Sequence, residues 1–182
     1  MKFKTYQKKD FKSLVNCMEE LQDHLIQVDN LKRLRRLKAY GKFYTQNLIK
    51  KIQKQKGIII LAYKEINEKA NRAQKEKEEK QKKDTEKIIL GCVAVVVEKQ
   101  SKTDLLECVP TRPGRILELL VAKNARNQGV GKALMKKAES YLKQKKCDVI
   151  RVEVFKPNTQ AHEFYKKLSY QDRTIDMLKQ IK

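Results

Sequence analysis

The stretch LLVAKNARNQGVGKALM, residues 119–135, decides the fold of this chain. It begins as an apolar strand, passes through a cationic turn that contains Gly129 and Gly131, and continues as a helix whose apolar residues recur with helical spacing. Glycine lets backbone N–H groups approach a ligand closely and permits positive φ, and the first turn of a helix carries a partial positive charge. The segment therefore predicts a binding site for phosphate groups at a strand-to-helix turn.

Two common phosphate-binding loops do not fit this turn. A nucleoside triphosphate loop would need Gly at position 126 and Ser or Thr at position 133, where this chain has Arg126 and Ala133. A dinucleotide fingerprint would need a third glycine at position 134, which is Leu134. What remains is the pattern R-x-x-G-x-G directly after an apolar strand.

A second block follows this turn at residues 148–170. The apolar strand 148–154 precedes Pro157, Asn158 and an amphipathic helix, TQAHEFYKKLSY. Together, the R-x-x-G-x-G turn and the pattern N-x-x-A-x-x-F-Y-x-K-L from Asn158 to Leu168 resemble the GNAT superfamily of N-acetyltransferases. The resemblance covers about residues 85–178, and the first third of the chain only by its pattern of elements.

The resemblance implies an α/β fold: a mixed, mostly antiparallel sheet with two splayed parallel central strands, flanked by helices. The predicted order of elements is β–α–α–β–β–β–α–β–α–β, with a short last strand after Tyr170 or one that a partner supplies. A length of 182 residues favours a single domain over residues 1–182. Residues 65–87 hold almost only Lys, Glu, Gln, Asn and Ala, which predicts a charged, flexible insertion.

The resemblance also implies acetyl-CoA as the cofactor. It assigns the pyrophosphate to amides of the turn and first helical residues, with added charge from Arg126 and Lys132, and the pantetheine arm to the backbone of the preceding strand. In that strand the Val121 amide is the candidate oxyanion donor. The implied cofactor residues are Leu119, Val121, Arg126, Asn127, Gln128, Gly129, Val130, Gly131, Lys132, Ala133 and Asn158.

The implied reaction is direct attack of a primary amine on the acetyl thioester in a ternary complex. Tyr165 stands where the family usually has its general acid, and a phenol suits protonation of a leaving thiolate. Glu153 and Glu118 are the candidate bases, and each could instead bind a cationic acceptor or simply be solvated. The acceptor is left open among a protein N-terminus, a lysine and a small-molecule amine.

Four residues depart from the family pattern. Lys123 stands where Pro is common, and Asn127 and Ser169 stand where Gly is common. Leu120 replaces a frequent Tyr, which is expected to reshape the acceptor side. None of these changes removes a residue on which the predicted cofactor site depends.

The net charge of +21 is concentrated in part of the chain, since residues 31–64 hold eleven Lys or Arg and no Asp or Glu. This block indicates a nucleic-acid surface, an attraction for acidic substrates or CoA, or solvated helix faces. It disfavours polyamines and histone tails as acceptors. The alternative function is a non-catalytic CoA-binding or nucleic-acid-associated protein on the same fold that uses residues 31–64.

Other residue types exclude further classes. Four cysteines without CxxC spacing and two histidines give a metal site poor support, so we expect none. The longest apolar run, 88–97, suits a buried strand and is too short for a bilayer, so no membrane partner is expected. An intracellular location, cytoplasmic or nuclear, is predicted, and a homodimer is left open.

Overall fold

The computed structural model describes residues 1–66, 86–179 and 181. The predicted insertion at 65–87 therefore lies almost entirely outside the described residues. The elements in chain order are β1 (Lys2–Thr5), α1 (Phe11–Val28), α2 (Tyr40–Lys54), β2 (Ile58–Ile66), β3 (Glu86–Val97), α3 (Lys102–Glu107), β4 (Pro113–Val121), α4 (Val130–Gln144), β5 (Val149–Val152) and α5 (Thr159–Lys166).

The five strands form one sheet in the order β1-β2-β3-β4-β5. All neighbouring strands are antiparallel except β4 and β5, which are parallel. This pair is bonded only from Pro113–Ile116 to Val149–Val152, and β4 continues for five residues beyond the last paired residue. The predicted fold class, with its parallel pair that separates, is confirmed.

The predicted last strand is absent from the part of the chain that the structure describes. Residues 171–179 have no regular secondary structure, so β5 is an edge strand in this sheet and not a central one. A segment counts as a strand only when the backbone N–H and C=O groups of a neighbouring strand pair with its own.

Each face of the sheet carries its own hydrophobic core. On one face α4 and α5 pack over the sheet, with Leu134 and Leu142 fully buried. On the other face α1 and α2 do the same, with Leu14 and Met18 at its centre. The sheet is therefore the middle of three layers.

One aromatic residue of α2 faces away from this second core. Phe43 in α2 is 66% exposed. The buried stripe of α2 runs through Gly41, Thr45, Leu48 and Ile52, which follow helical spacing. Phe43 is two residues after Gly41, about 200° around the helix, and so it lies on the opposite side.

Lys56 ends α2 in the left-handed conformation, with a φ of 50°. The Gly57 N–H donates to the Ile52 carbonyl at 2.8 Å, the bond that closes a helix after a left-handed residue. A Cβ at position 57 would lie 2.3 Å from the Val95 carbonyl oxygen. Glycine is needed there because the chain passes close to β3.

A single extra residue interrupts the pairing of β3 with β4. Ala94 pairs with Glu118, whereas the next residue of β3, Val95, pairs with Ile116. Leu117 is thus left over as a β-bulge. An extra residue reverses which face of the sheet every later side chain occupies.

Beyond the bulge, the side chains of β4 alternate between the two cores. Leu119 and Val121 pack against the α4 side, and Leu120 is buried on the α1 and α2 side. Glu118 lies on this second side, where it contacts α2. The bulge therefore turns an acidic side chain toward α2 at the point where β4 and β5 separate.

The departures Asn127 and Ser169 both occupy left-handed backbone positions, with φ of 60° and 67°. At the end of α5, the N–H of Tyr170 donates to the Tyr165 carbonyl at 3.1 Å around Ser169. Asn tolerates this conformation better than most residues, which explains its place in the turn, whereas Ser is strained there.

We expect Ser169→Gly to stabilise the fold by about 0.5–1 kcal/mol, because glycine removes the left-handed strain at some entropic cost. The melting temperature should rise by roughly 2–3 °C for a chain of this size. Ser169→Ala is the matched control, since it removes the hydroxyl and keeps the strain. Equal melting temperatures for the two variants would count against strain at this position.

Candidate active site

The turn between β4 and α4 presents backbone N–H groups to solvent. Gly129 is the N-cap of α4 with a φ of 75°, and among the described residues no side chain caps this helix end. The first intrahelical bond runs from the Ala133 N–H to the Gly129 carbonyl at 3.0 Å. The N–H groups before it have no intrahelical acceptor, so they remain available to an anionic ligand.

The space in front of this turn is open. A Cβ at Gly129 would have no atom within 4 Å, and one at Gly131 would be 3.4 Å from the side chains of Phe164 and Val121. Gln128 and Lys132 are exposed beside them. The solvent side of the turn at Gly129 is therefore accessible, with exposed polar and cationic side chains beside it.

Arg126 is held against the end of β4. Its Nε–H donates to the Val121 carbonyl at 3.3 Å, while the Gln128 amide donates to the Asn124 carbonyl at 2.9 Å. These bonds fix the turn from within, and they leave the Arg126 guanidinium half-buried at the mouth of the gap between β4 and β5.

The backbone of β4 is bonded on one side only near its end. The Ala122 N–H donates to the Leu90 carbonyl of β3 at 3.0 Å. Because backbone groups alternate along a strand, those of Leu120 face β3 as well, and those of Leu119 and Val121 face the gap left by β5. An extended ligand bearing amides can therefore bond there as an added strand.

Glu118 lies half-buried between β4 and α2 and accepts a hydrogen bond from the Tyr44 hydroxyl. Burial raises the pKa of Glu118 above its usual range, and the Tyr44 bond and the nearby Lys51 ammonium partly oppose this. Burial and the same carboxylate raise the pKa of Tyr44, so Tyr44 stays protonated as a donor. The rings of Tyr40 and Tyr44 stack at 5.2 Å. Glu118 is thus a carboxylate with raised proton affinity and one fixed oxygen.

A cavity of about 280 Å³ opens beside Glu118 on the α2 side. Three elements line it: one face of α2, the stretch of β4 around the bulge, and the residue after β5. Its lining residues are Tyr44, Asn47, Leu48, Lys51, Arg115, Ile116, Leu117, Glu118 and Glu153. The cavity lies where β4 and β5 begin to separate.

Tyr165 approaches the gap from the opposite face of the sheet. It is 8% exposed, in edge contact with the rings of Phe164 and Tyr170. Burial raises its pKa, and the nearby Glu118 carboxylate adds to the shift. The Glu118 carboxylate is therefore close enough to influence the Tyr165 phenol, which stays protonated.

Glu153 also reaches the cavity, and of the alternatives left open for it the structure agrees with a solvated carboxylate. Its side chain is 84% exposed and pairs with Arg115, which also bonds Glu98 at 3.3 Å. Because β5 ends at Val152, no strand or helix covers this carboxylate.

Asn158 caps α5, since its side-chain oxygen accepts the Ala161 N–H at 3.2 Å. The same oxygen lies 3.5 Å from Nε2 of His24, which belongs to α1 on the other face of the sheet.

The structure thus adds three residues to the site that the sequence patterns did not select: Tyr44, Lys51 and His24. The aromatic run in α2 was visible but indistinguishable from core packing, and no pattern marked the other two.

Comparison with known proteins defines the class. The family model described as the acetyltransferase (GNAT) family matches residues 81–170, about half of the chain. An uncharacterized N-acetyltransferase of Methanocaldococcus jannaschii is 38% identical over 63 residues, which is 34% of this chain and 40% of that protein. The chain belongs to the GNAT family of acetyltransferases.

Solved structures share the fold over nearly the whole chain. A putative acetyl transferase from Pyrococcus furiosus superposes with a TM-score of 0.63 at 18% identity, covering 99% of this chain and 100% of the other. An aminoglycoside antibiotic 6'-N-acetyltransferase from Acinetobacter haemolyticus gives 0.63 at 14% identity, with both chains fully covered. At these identities the likeness concerns the fold alone.

Proteins of this family generally use acetyl-CoA, and the open turn fits that group. The cradle offers N–H donors for a diphosphate, exposed cationic side chains and one-sided backbone for an amide-bearing arm. Within the described ranges, every helix is too short or too polar to cross a bilayer.

Proposed function

We propose that this protein transfers an acetyl group from acetyl-CoA to a primary amine by direct attack in a ternary complex. Leu119, Val121 and the residues from Arg126 to Ala133 hold the cofactor, together with Asn158. The acceptor enters through the cavity beside Glu118. The observation that carries the proposal is that the uncapped start of α4 and the cavity beside Glu118 both lie along β4 where it separates from β5.

Bound acetyl-CoA supplies an activated acetyl thioester. Glu118 accepts a proton from the amine, whose nitrogen then bonds to the acetyl carbon while the carbon–sulfur bond breaks. The Val121 N–H, which faces the gap, stabilises negative charge on the acetyl oxygen. Tyr165 donates its phenolic proton to the departing sulfur. The nitrogen loses two protons, one to Glu118 before attack and one as the amide forms. One proton reaches the thiol through Tyr165, which is then reprotonated, and the other is released to solvent, so protons and electrons balance.

The test is turnover of acetyl-CoA with a library of primary amines, followed through release of free thiol. Binding of acetyl-CoA is measured in parallel by calorimetry. We expect thiol release that depends on both substrates and an acetylated amine detectable by mass spectrometry. Binding without release for any amine would defeat the catalytic proposal and leave the fold assignment intact.

Tyr44→Phe tests whether the hydrogen bond from Tyr44 tunes the pKa of Glu118, the proposed base. The Tyr44 hydrogen bond lowers the pKa of Glu118, so its removal raises that pKa, and Glu118 then ionises at higher pH. We expect the acid limb of the kcat/KM profile to move up by about one pH unit. Tyr40→Phe is the matched control, since that hydroxyl bonds Gln22 instead. An unmoved limb in Tyr44→Phe would show that Glu118 does not set it.

The alternative function keeps support from one observation. All eleven basic side chains between residues 31 and 64 are exposed, as a nucleic-acid surface requires. A steep salt dependence of RNA or DNA binding, with no acetyl transfer, would favour it. Intracellular location and oligomeric state stay predictions.

A further inference from the structure

We infer that the cavity beside Glu118 selects an acceptor in which a carboxylate lies close to the primary amine, and that Lys51 recognises this carboxylate. The inference rests on the proposed function, because it concerns the acceptor of the same reaction. It is carried by the charges that line the cavity and by their partners.

The cavity is lined by two carboxylates and two cations, and three of these four are engaged. Arg115 pairs with Glu153 and with Glu98 outside the cavity. Glu118 accepts the Tyr44 hydroxyl. Lys51 is exposed and makes no ion pair with a described residue. The cavity therefore offers one available ammonium group next to a carboxylate that is bonded through one oxygen.

Lys51 does not stand alone on its helix face. Asn47 precedes it by four residues, so the two side chains are neighbours on α2, and both line the cavity. An ammonium and a primary amide together suit the two oxygens of a carboxylate.

An amine without an anionic neighbour fits this arrangement poorly. Before it loses its proton, the amine brings a positive charge between Glu118 and Lys51, and the two ammonium groups repel each other. A carboxylate on the acceptor removes this repulsion by pairing with Lys51. Lys50 and Lys54 on the same helix extend the positive surface, which also disfavours polyamines.

Two sources supply this chemistry: the α-carboxylate of a free amino acid, and an acidic side chain near the N-terminus of a peptide. A cavity of about 280 Å³ accommodates either a small amino acid or the first residues of a peptide. The experiment uses both. One arm compares free L-amino acids with their amides, and the other compares peptides beginning Met-Asp or Met-Glu with those beginning Met-Asn or Met-Gln.

The measured quantity is the ratio of kcat/KM for the carboxylate and amide members of each pair, in wild type and in Lys51→Gln. Intrinsic amine reactivity cancels when the two ratios are compared, because it is the same for both proteins. We expect the wild type to prefer the carboxylate in one arm, and Lys51→Gln to reduce that preference about tenfold or more. Lys51→Glu should reverse it.

Lys50→Gln is the matched control, since Lys50 is an exposed neighbour on α2 outside the cavity lining. Calorimetric affinity for the preferred amino acid or peptide, measured with CoA present, gives a second readout that needs no turnover. Equal use of carboxylate and amide acceptors by the wild type, or a preference that survives in Lys51→Gln, would overturn the inference while acetyl transfer stands. Absence of transfer to every amine would instead defeat the proposed function.

Discussion

Tyr165→Phe is expected to lower kcat roughly 100-fold or more, the usual range for loss of a general acid. The departing thiolate then has no proton donor from the protein, although the phenyl ring keeps its contacts with Phe164 and Tyr170. Because burial keeps the pKa of Tyr165 high, the phenol stays protonated across the neutral range and no basic limb near pH 8 should arise from it.

The affinity of Tyr165→Phe for acetyl-CoA should remain within about twofold of wild type, since the proposed cofactor contacts lie on β4, α4 and Asn158. Tyr170→Phe is the matched control. That hydroxyl bonds Glu139 at 3.1 Å, so its removal leaves the proposed acid in place. A Tyr165→Phe enzyme that keeps its kcat, or that loses cofactor binding to the same degree, would contradict the acid role.

Glu118→Gln is expected to reduce kcat/KM by roughly 100-fold or more at neutral pH, because a glutamine cannot accept the amine proton. The amide oxygen can still accept the Tyr44 hydrogen bond, so the local structure should persist. The activity that remains should lack the acid limb of the pH profile. A general loss of packing would instead lower the activity and keep that limb.

Glu153→Gln is the control with the opposite expectation. Its carboxylate is exposed to solvent and engaged by Arg115, so the loss of its charge removes only a solvent-screened ion pair. We expect a change of about fivefold or less. The reverse ranking, with Glu153→Gln the more damaging change, would transfer the base role to Glu153.

The strand–turn–helix at the cofactor site could be predicted from sequence because its determinants are local. Glycines at 129 and 131, the apolar run before them and the helical spacing after them all act within one short segment. Such local signals also located the block around Asn158 and Tyr165. Both blocks have the predicted order of a strand followed by a helix.

The environment of Glu118 could not be predicted, because it depends on residues far apart in the chain. Strict alternation from Ile116 would place Glu118 on the α4 side, and only the bulge at Leu117 reverses this. The partner of the carboxylate, Tyr44, lies 74 positions earlier in the chain. Register and long-range contact thus decide the acceptor side.

Two details of α2 also depend on contacts that are distant in the sequence. The backbone conformation at Lys56 and the exposure of Phe43 depend on how α2 lies against the sheet, and single-residue preferences do not determine that. The missing last strand reflects the absence, within the described residues, of a partner beyond β5.

The short β4–β5 pairing lets one strand serve two ligands by different means. Toward the gap β4 offers main-chain groups, of which only a proline substitution removes an N–H, whereas toward α2 it offers side chains, which any mutation changes. Substitutions can therefore change which acceptor the protein prefers while its binding of acetyl-CoA is kept. Laboratory evolution aimed at new acceptors should accordingly randomise positions 44, 47 and 51 and spare both Glu118 and the turn at 126–133.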